Sequence, residues 1–226
     1  METIAGYKVN TRELLGRGGF GEVFVASNEA GKVAVKRVWL KTVSLQDIQA
    51  EVTTLKTVKP HKNVLKYLTS EEKRDFLWIF TEYCDQGDLN QYCTTHELSF
   101  THKLDICHQC AQAISHLHNQ SPSIVHRDIK PNNILMTHNA QNQIEIKLAD
   151  FGLAKMSGGL GRTLAMRTLC GTEIFMAPEH FSLEKRMSST YGRSVDIFAL
   201  GLVFTALLYA KPGKPLLPLQ GQYLFI

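Results

Sequence analysis

His126-Arg127-Asp128-Ile129-Lys130-Pro131-Asn132-Asn133 decides the fold, because two further motifs follow it in fixed order, Asp150-Phe151-Gly152 and Ala177-Pro178-Glu179. Asp128 reads as the group that accepts, or at least aims, the proton of an attacking hydroxyl. Lys130, two residues further along an extended loop, can reach an anionic oxygen. Asn133 and Asp150 are hard oxygen donors suited to Mg²⁺, which keeps several waters and shares its coordination with phosphates. In-line phosphoryl transfer needs these parts: a group to orient the nucleophile, and cations held where negative charge collects. A lone His-Arg-Asp tripeptide arises by chance. The ordered set does not.

Working outward toward the N-terminus, Gly16-Arg17-Gly18-Gly19-Phe20-Gly21-Glu22-Val23 carries glycines at the spacing of a phosphate-binding turn. Glycine lets the backbone turn sharply and bring its N–H groups to an anion with no Cβ in the way. A dinucleotide-binding turn shares the spacing, but it needs a helix directly after the last glycine and an acid about 20 residues on. Here Val23-Phe24-Val25-Ala26 continues as a strand and a lysine follows, which favours a flap over a nucleotide. In Val33-Ala34-Val35-Lys36, strand alternation buries Val33 and Val35 and leaves Ala34 and Lys36 beneath the flap. Lys36 can then reach α- and β-phosphates, and Glu51 on the next helix is the natural acid to hold it. Taken singly, each is an ordinary solvated charge. Taken in order, they read as one site.

With these motifs the chain resembles a eukaryotic-type serine/threonine protein kinase catalytic domain from about Tyr7 to Ala210. The resemblance implies an α+β bilobal protein-kinase-like fold, with a small antiparallel-sheet N-lobe carrying one helix and a larger helical C-lobe. It implies an N-lobe over residues 1–84 and a C-lobe over 85–226, the latter incomplete after its central helix. The cofactors implied are ATP and Mg²⁺, and the other partner is a protein substrate. ATP would be bound by Gly16, Arg17, Gly18, Gly19, Phe20, Gly21 and Lys36, with Thr81 as gatekeeper and Glu82 to Cys84 as the hinge. Val23, Ala34 and Leu135 would sandwich the adenine. Asp196 would brace the catalytic loop from the central helix.

Lys130 and Gly171-Thr172-Glu173 are similar to serine/threonine rather than tyrosine kinases, with Thr172 shaping the substrate pocket. The segment from Gly152 to Ala177 carries Thr163 and Thr168, where a phosphate could pair with Arg127 and order the loop. Activation by phosphorylation at one of these threonines is the expectation. Glu82 to Leu89 and Val195 to Leu202 are similar to stress-sensing kinases, those of a translation initiation factor and the kinase–ribonuclease of the unfolded-protein response. The first group often carries a long insert where this chain has a short turn, Ser70 to Asp75, and a sensor domain that is not seen in front of Tyr7.

The coarse pattern agrees with two lobes. Strands are expected at Tyr7–Leu15, Val23–Ser27, Lys32–Trp39 and Leu77–Tyr83. Between the third and fourth lies a helix opened by Ser44 and Asp47, with Ile48, Val52 and Leu55 at helical spacing. After a linker near Cys84–Gly87, Leu104, Cys107, Ala111, Ile114 and Leu117 mark one face of a helix starting near Thr101. Strand-like pieces at Ile134–Met136 and Ile144–Leu148 flank a polar turn, His138 to Gln143. Ile197 to Tyr209 is apolar all round, the pattern of an enclosed helix.

Composition bounds the rest. Hydrophobic residues are 44%, charged residues 20%, and the net charge is +4 with no basic run of five, so nothing signals nucleic acid. The stretch METIAGYKVN does not read as a signal peptide, and the apolar stretch Ile197–Ala210 is too short to span a bilayer comfortably. Five cysteines without a small-domain pattern suggest reduced thiols and a cytoplasmic, or nuclear, location. Cys107 and Cys110 invite a zinc reading, but on one helix they fall on the buried face and no second pair exists. His116 and His118 read as ordinary helix residues. Because the C-lobe reads as incomplete, the underside of Ile197–Tyr209 would be exposed and could bind a partner. Two functions follow: an active phosphotransferase, or a nucleotide-binding regulatory module of the same fold that turns over weakly.

Overall fold

The computed structural model describes residues 1–18, 21–41, 45–150, 155–156, 173–178 and 192–217. Six strands come from the first part of the chain: β1 (Glu2–Ile4), β2 (Tyr7–Gly18), β3 (Gly21–Asn28), β4 (Gly31–Trp39), β5 (Tyr67–Lys73) and β6 (Phe76–Glu82). They form one antiparallel sheet in the order β1-β2-β3-β4-β6-β5. Alternation gives the sheet two different faces. Val33, Val35, Trp78 and Phe80 pack on one face with Ile4, Val9 and Phe24, and Tyr7 stacks on Phe80 at 4.8 Å. Val38, Leu77 and Ile79 lie on the other, against Val52 and Leu55 of helix α1 (Leu45–Thr57).

Two expectations change here. The N-terminal residues add β1, which turns into β2 through Ala5 and Gly6, both at positive φ. Ser70–Asp75 is mostly strand and not a turn; only Arg74 (φ 57°) and Asp75 separate β5 from β6. Its polar run, Ser70-Glu71-Glu72-Lys73, belongs to the edge strand of the sheet, where charged residues are tolerated and discourage pairing with other chains.

The second lobe is built on helices. Asp88 caps α2 (Leu89–Thr95) by accepting from the Gln91 N–H at 2.8 Å, and Ser99 caps α3 (Phe100–His118) from the His102 N–H at 3.2 Å. Strands β7 (Ile124–Val125), β8 (Ile134–His138), β9 (Ile144–Leu148) and β10 (Lys155–Met156) form two small ribbons, β8 with β9 and β7 with β10. The hairpin turn is Asn139–Gln143, since His138 still pairs with Ile144. Helix α4 (Ser194–Leu208) crosses behind α3. The core joins Leu89, Ile106, Ile114, Leu117, Met136 and Leu207.

On α3 the buried arc differs from the expected one. Cys107, Ile114 and Leu117 are buried, but Leu104 is 47% exposed and Ile106, Cys110 and Ala113 take the inside positions. The helix packs against both β9 and α4, so its arc runs 106, 110, 113, 117 and leaves Leu104 outside it. On α4 the apolar pattern does not mean enclosure on every side. Val195, Ala199, Val203 and Leu207 are buried while Ile197 is 55% exposed. Composition records what a helix could bury, and packing decides which part it does.

Candidate active site

The loop after β7 is held from below. Asp196, fully buried on α4, accepts the N–H groups of His126 and Arg127, each at 2.8 Å, and bonds His118 Nε2 at 2.8 Å. Burial alone would raise its carboxyl pKa. The His118 bond and the two amides outweigh that and hold it below the usual aspartate range. Arg127 adopts φ 69°, which turns the loop so that consecutive N–H groups face one carboxylate. His126, also buried, accepts the Asp128 N–H on Nδ1 at 3.3 Å and donates from Nε2 to the Ala149 carbonyl at 3.0 Å. The loop is thereby tied to the chain just before Asp150.

Within this frame Asp128 is buried, and its Oδ2 accepts from Lys130 Nζ at 2.8 Å and Asn133 Nδ2 at 2.9 Å. Asn133 Nδ2 also donates to the Asp128 carbonyl at 2.7 Å. With its nitrogen turned to Asp128, the side-chain oxygen of Asn133 is the atom suited to a metal. Asp150, at φ 64°, bonds Lys36 Nζ at 2.9 Å across 114 positions of sequence. Burial pushes the Asp150 carboxyl up, but the Lys36 ammonium outweighs it and the group sits below its ordinary value. The Ala149 N–H on the Asn133 carbonyl at 2.8 Å sets the two residues' backbones side by side, and an amide oxygen with a carboxylate is a donor set of the kind Mg²⁺ takes.

The sheet carries the other candidates. Register pairs Val23 with Lys36, Val25 with Ala34, and Ala34 with Thr81, so Val23, Ala34, Lys36 and Thr81 share one face. That face also holds Ile79 and Val38, against which α1 packs. Glu82 gives its backbone N–H to the Lys66 carbonyl at 3.0 Å, and its Oε1 accepts the Lys66 N–H at 2.7 Å. Cys84 is half-buried at the linker; burial first, then Glu82 nearby, pushes its thiol up to about 12. Leu135 on β8 lies beside the linker, through the Gln86–Met136 and Met136–Gly87 backbone bonds and a bridge to Asp88. Gly16, Gly18 and Gly21 lie in or bound the β2–β3 hairpin. Gly19, Phe20, Thr163, Thr168, Thr172 and the Glu51 side chain lie outside the described residues.

Two parts of the site were not visible in the sequence reading. His118, which the sequence presents as an ordinary helix residue, is buried and bonded to Asp196. Its one available signal is position, four residues after Ile114 on the buried arc. Asn63, fully buried, donates to Gln109 Oε1 at 2.8 Å and to the Ile146 carbonyl at 3.1 Å, and Gln109 Oε1 also accepts the Ile146 N–H at 3.0 Å. Nothing in either residue's neighbourhood announces this. Cys107 and Cys110 are buried in the core, with the Cys107 thiol pushed up to about 11 by burial.

The family model described as "Protein kinase domain" matches residues 9–218. The chain belongs to the protein kinase family. Among curated relatives, the kinase domain is 32% identical over 212 residues to "Probable serine/threonine-protein kinase zyg-1" of Caenorhabditis elegans, covering 92% of this chain and 28% of that protein. It is 34% identical over 218 residues to "Interferon-induced, double-stranded RNA-activated protein kinase" of Mus musculus, covering 87% of this chain and 39% of that protein. A probable serine/threonine-protein kinase of Dictyostelium discoideum is 34% identical over 204 residues, covering 87% and 19%. The kinase domain thus spans well under half the length of these relatives. Among its described residues no helix is long and apolar enough to cross a membrane.

Proposed function

We propose that this kinase domain transfers the γ-phosphate of ATP to serine or threonine hydroxyls of a protein substrate. The observation that carries the reading is the Lys36–Asp150 contact at 2.9 Å, which joins the flap-bearing sheet to the residue next to Ala149, itself bonded to His126 and Asn133 of the loop that holds Asp128 and Lys130. Residues 1–84 would supply the flap, Lys36 and Glu51, and residues 85–226 the catalytic loop and metal ligands.

In this reading Asp128 accepts the proton of the substrate hydroxyl and aims its oxygen. Lys130, bonded to Asp128 in this structure, would turn its ammonium toward a phosphate oxygen. Lys36 would hold α- and β-phosphates, and Val23, Ala34 and Leu135 would flank the adenine next to Thr81, Glu82 and Cys84. Mg²⁺, when bound at Asn133 and Asp150, would supply neutralising charge for the phosphate oxygens. Lys130 and the serine/threonine kinases among the relatives support the hydroxyl class of acceptor. The described cysteines are all free thiols, which supports a reducing, cytoplasmic or nuclear compartment.

A radiolabelled-ATP assay on the purified chain tests the proposal. Asp128→Asn should lower turnover by about 100-fold or more, the usual worth of a positioned base, and Lys36→Met should abolish measurable transfer. Equal signal from the wild type and Asp128→Asn would show that the transfer belongs to a contaminant.

A further inference from the structure

Glu22 stands at the centre of a row of three charges that crosses the flap. Backbone register pairs Arg17 of β2 with Glu22 of β3, and Glu22 with Arg37 of β4. Arg17 bonds one oxygen of the Glu22 carboxylate and Arg37 bonds the other. The Arg37 bond first, and then the Arg17 bond, holds the Glu22 carboxyl below its ordinary range. Arg37 is itself fixed in place, its guanidinium over the rings of Phe24, Phe76 and Trp78 at 5.0, 4.8 and 5.6 Å.

Strand alternation puts this row on the face opposite Val23 and Lys36, outside the flap and away from the nucleotide side. It lies one pair from the last rung of the hairpin, Gly18 with Gly21. Gly21, at φ 140°, presses on β4 so closely that an added Cβ would meet the Arg37 carbonyl oxygen at 2.1 Å. The flap is therefore seated on β4 at two successive residues, by contact at Gly21 and by charge at Glu22. The ionic row thus fixes the rung next to the Gly18–Gly21 pair that closes the hairpin.

We infer that Glu22 is a positioning residue for the nucleotide: by bridging Arg17 and Arg37 it holds the glycine flap against β4 before ATP arrives. Flap amides are then set in advance, and less ordering is left for binding to accomplish. Arg17, expected among the ATP-binding residues, acts here through its side chain on Glu22. The inference rests on reading the cleft as a nucleotide site, but the seating of the flap can be measured without nucleotide.

The test is Glu22→Gln, which keeps shape and removes charge, followed by hydrogen exchange of the amides of residues 14–24 and by ATP kinetics. Two partly exposed ion pairs lead us to expect flap exchange about fivefold faster, KM for ATP about fivefold higher, and kcat changed by less than about twofold. About 0.5 M NaCl should loosen the wild-type flap in the same way and leave Glu22→Gln unaffected. Arg17→Gln, which removes one of the two bonds, should shift the same quantities less. Unchanged flap exchange in Glu22→Gln overturns the inference. So does faster exchange spread over the whole sheet, or a loosened flap with unaltered KM. A wild type that binds no ATP refutes the nucleotide reading instead, and exchange of the free flap then decides whether Glu22 seats it.

Discussion

Asp196 shows how much chemistry a single buried carboxylate can organise: it takes two amides of the catalytic loop and the His118 ring. Asp196→Asn halves the acceptor capacity and turns an amide N–H₂ toward existing donors. We expect it to cost about 3 kcal/mol in urea unfolding, the scale of breaking a buried charged network. The pH dependence has a definite sign. Because the folded carboxyl lies below its ordinary value, its contribution is complete above about pH 4 and disappears as pH falls through the lower folded value. The gap between wild type and Asp196→Asn should therefore be full at pH 7 and close toward acid; a gap independent of pH would contradict this account. Lys36, Asp128, Asn133 and Asp150 were legible because they sit in short motifs of fixed spacing. His118 and Asn63 were not, since their partners lie 78 and 46 positions away and only the fold brings them together.

Elements were legible wherever one face was apolar. β3, β4, β6, β9 and α1 fall within a few residues of their expected places, while β5 was hidden because an edge strand needs few apolar residues. On α3 the apolar positions outnumber those the neighbours can cover, so periodicity alone placed Cys107, Ile114 and Leu117 correctly but put Leu104 inside and left out Ile106 and Cys110. A pair of substitutions measures the difference. Leu117→Ala, at a fully buried position, should cost about 2–5 kcal/mol, and Leu104→Ala, at an exposed one, less than about 0.5 kcal/mol. Equal losses in thermal or urea unfolding would restore the arc the sequence suggested.

For the whole molecule, the thiols report opening. Burial pushes Cys93 and Cys107 up to about 11 and Cys84 up to about 12, and it raises Cys110 as well. In a Cys170→Ser variant, none of the four should react with a disulfide reagent at pH 8 until denaturant unfolds the lobe around them. Rapid labelling of Cys84 under native conditions would show that the linker is less enclosed than described. The connection between lobes has a further consequence. Asn63 and Leu65, on the segment between α1 and β5, exchange backbone bonds with Leu148 at 2.9 Å each, and Val64 packs into the core of the helical lobe. That short stretch travels with the lower half although it is strung between two parts of the upper one. With the linker as a second attachment and the Lys36–Asp150 bond as a third, the upper sheet meets the lower half at three places. Swinging the sheet away from Asp150 must release the Lys36 bond, and sliding it sideways must also tear the bonds to Leu148. Parting the cleft is thereby steered toward a jaw-like stroke about those two seams, the linker and the Val64 stretch.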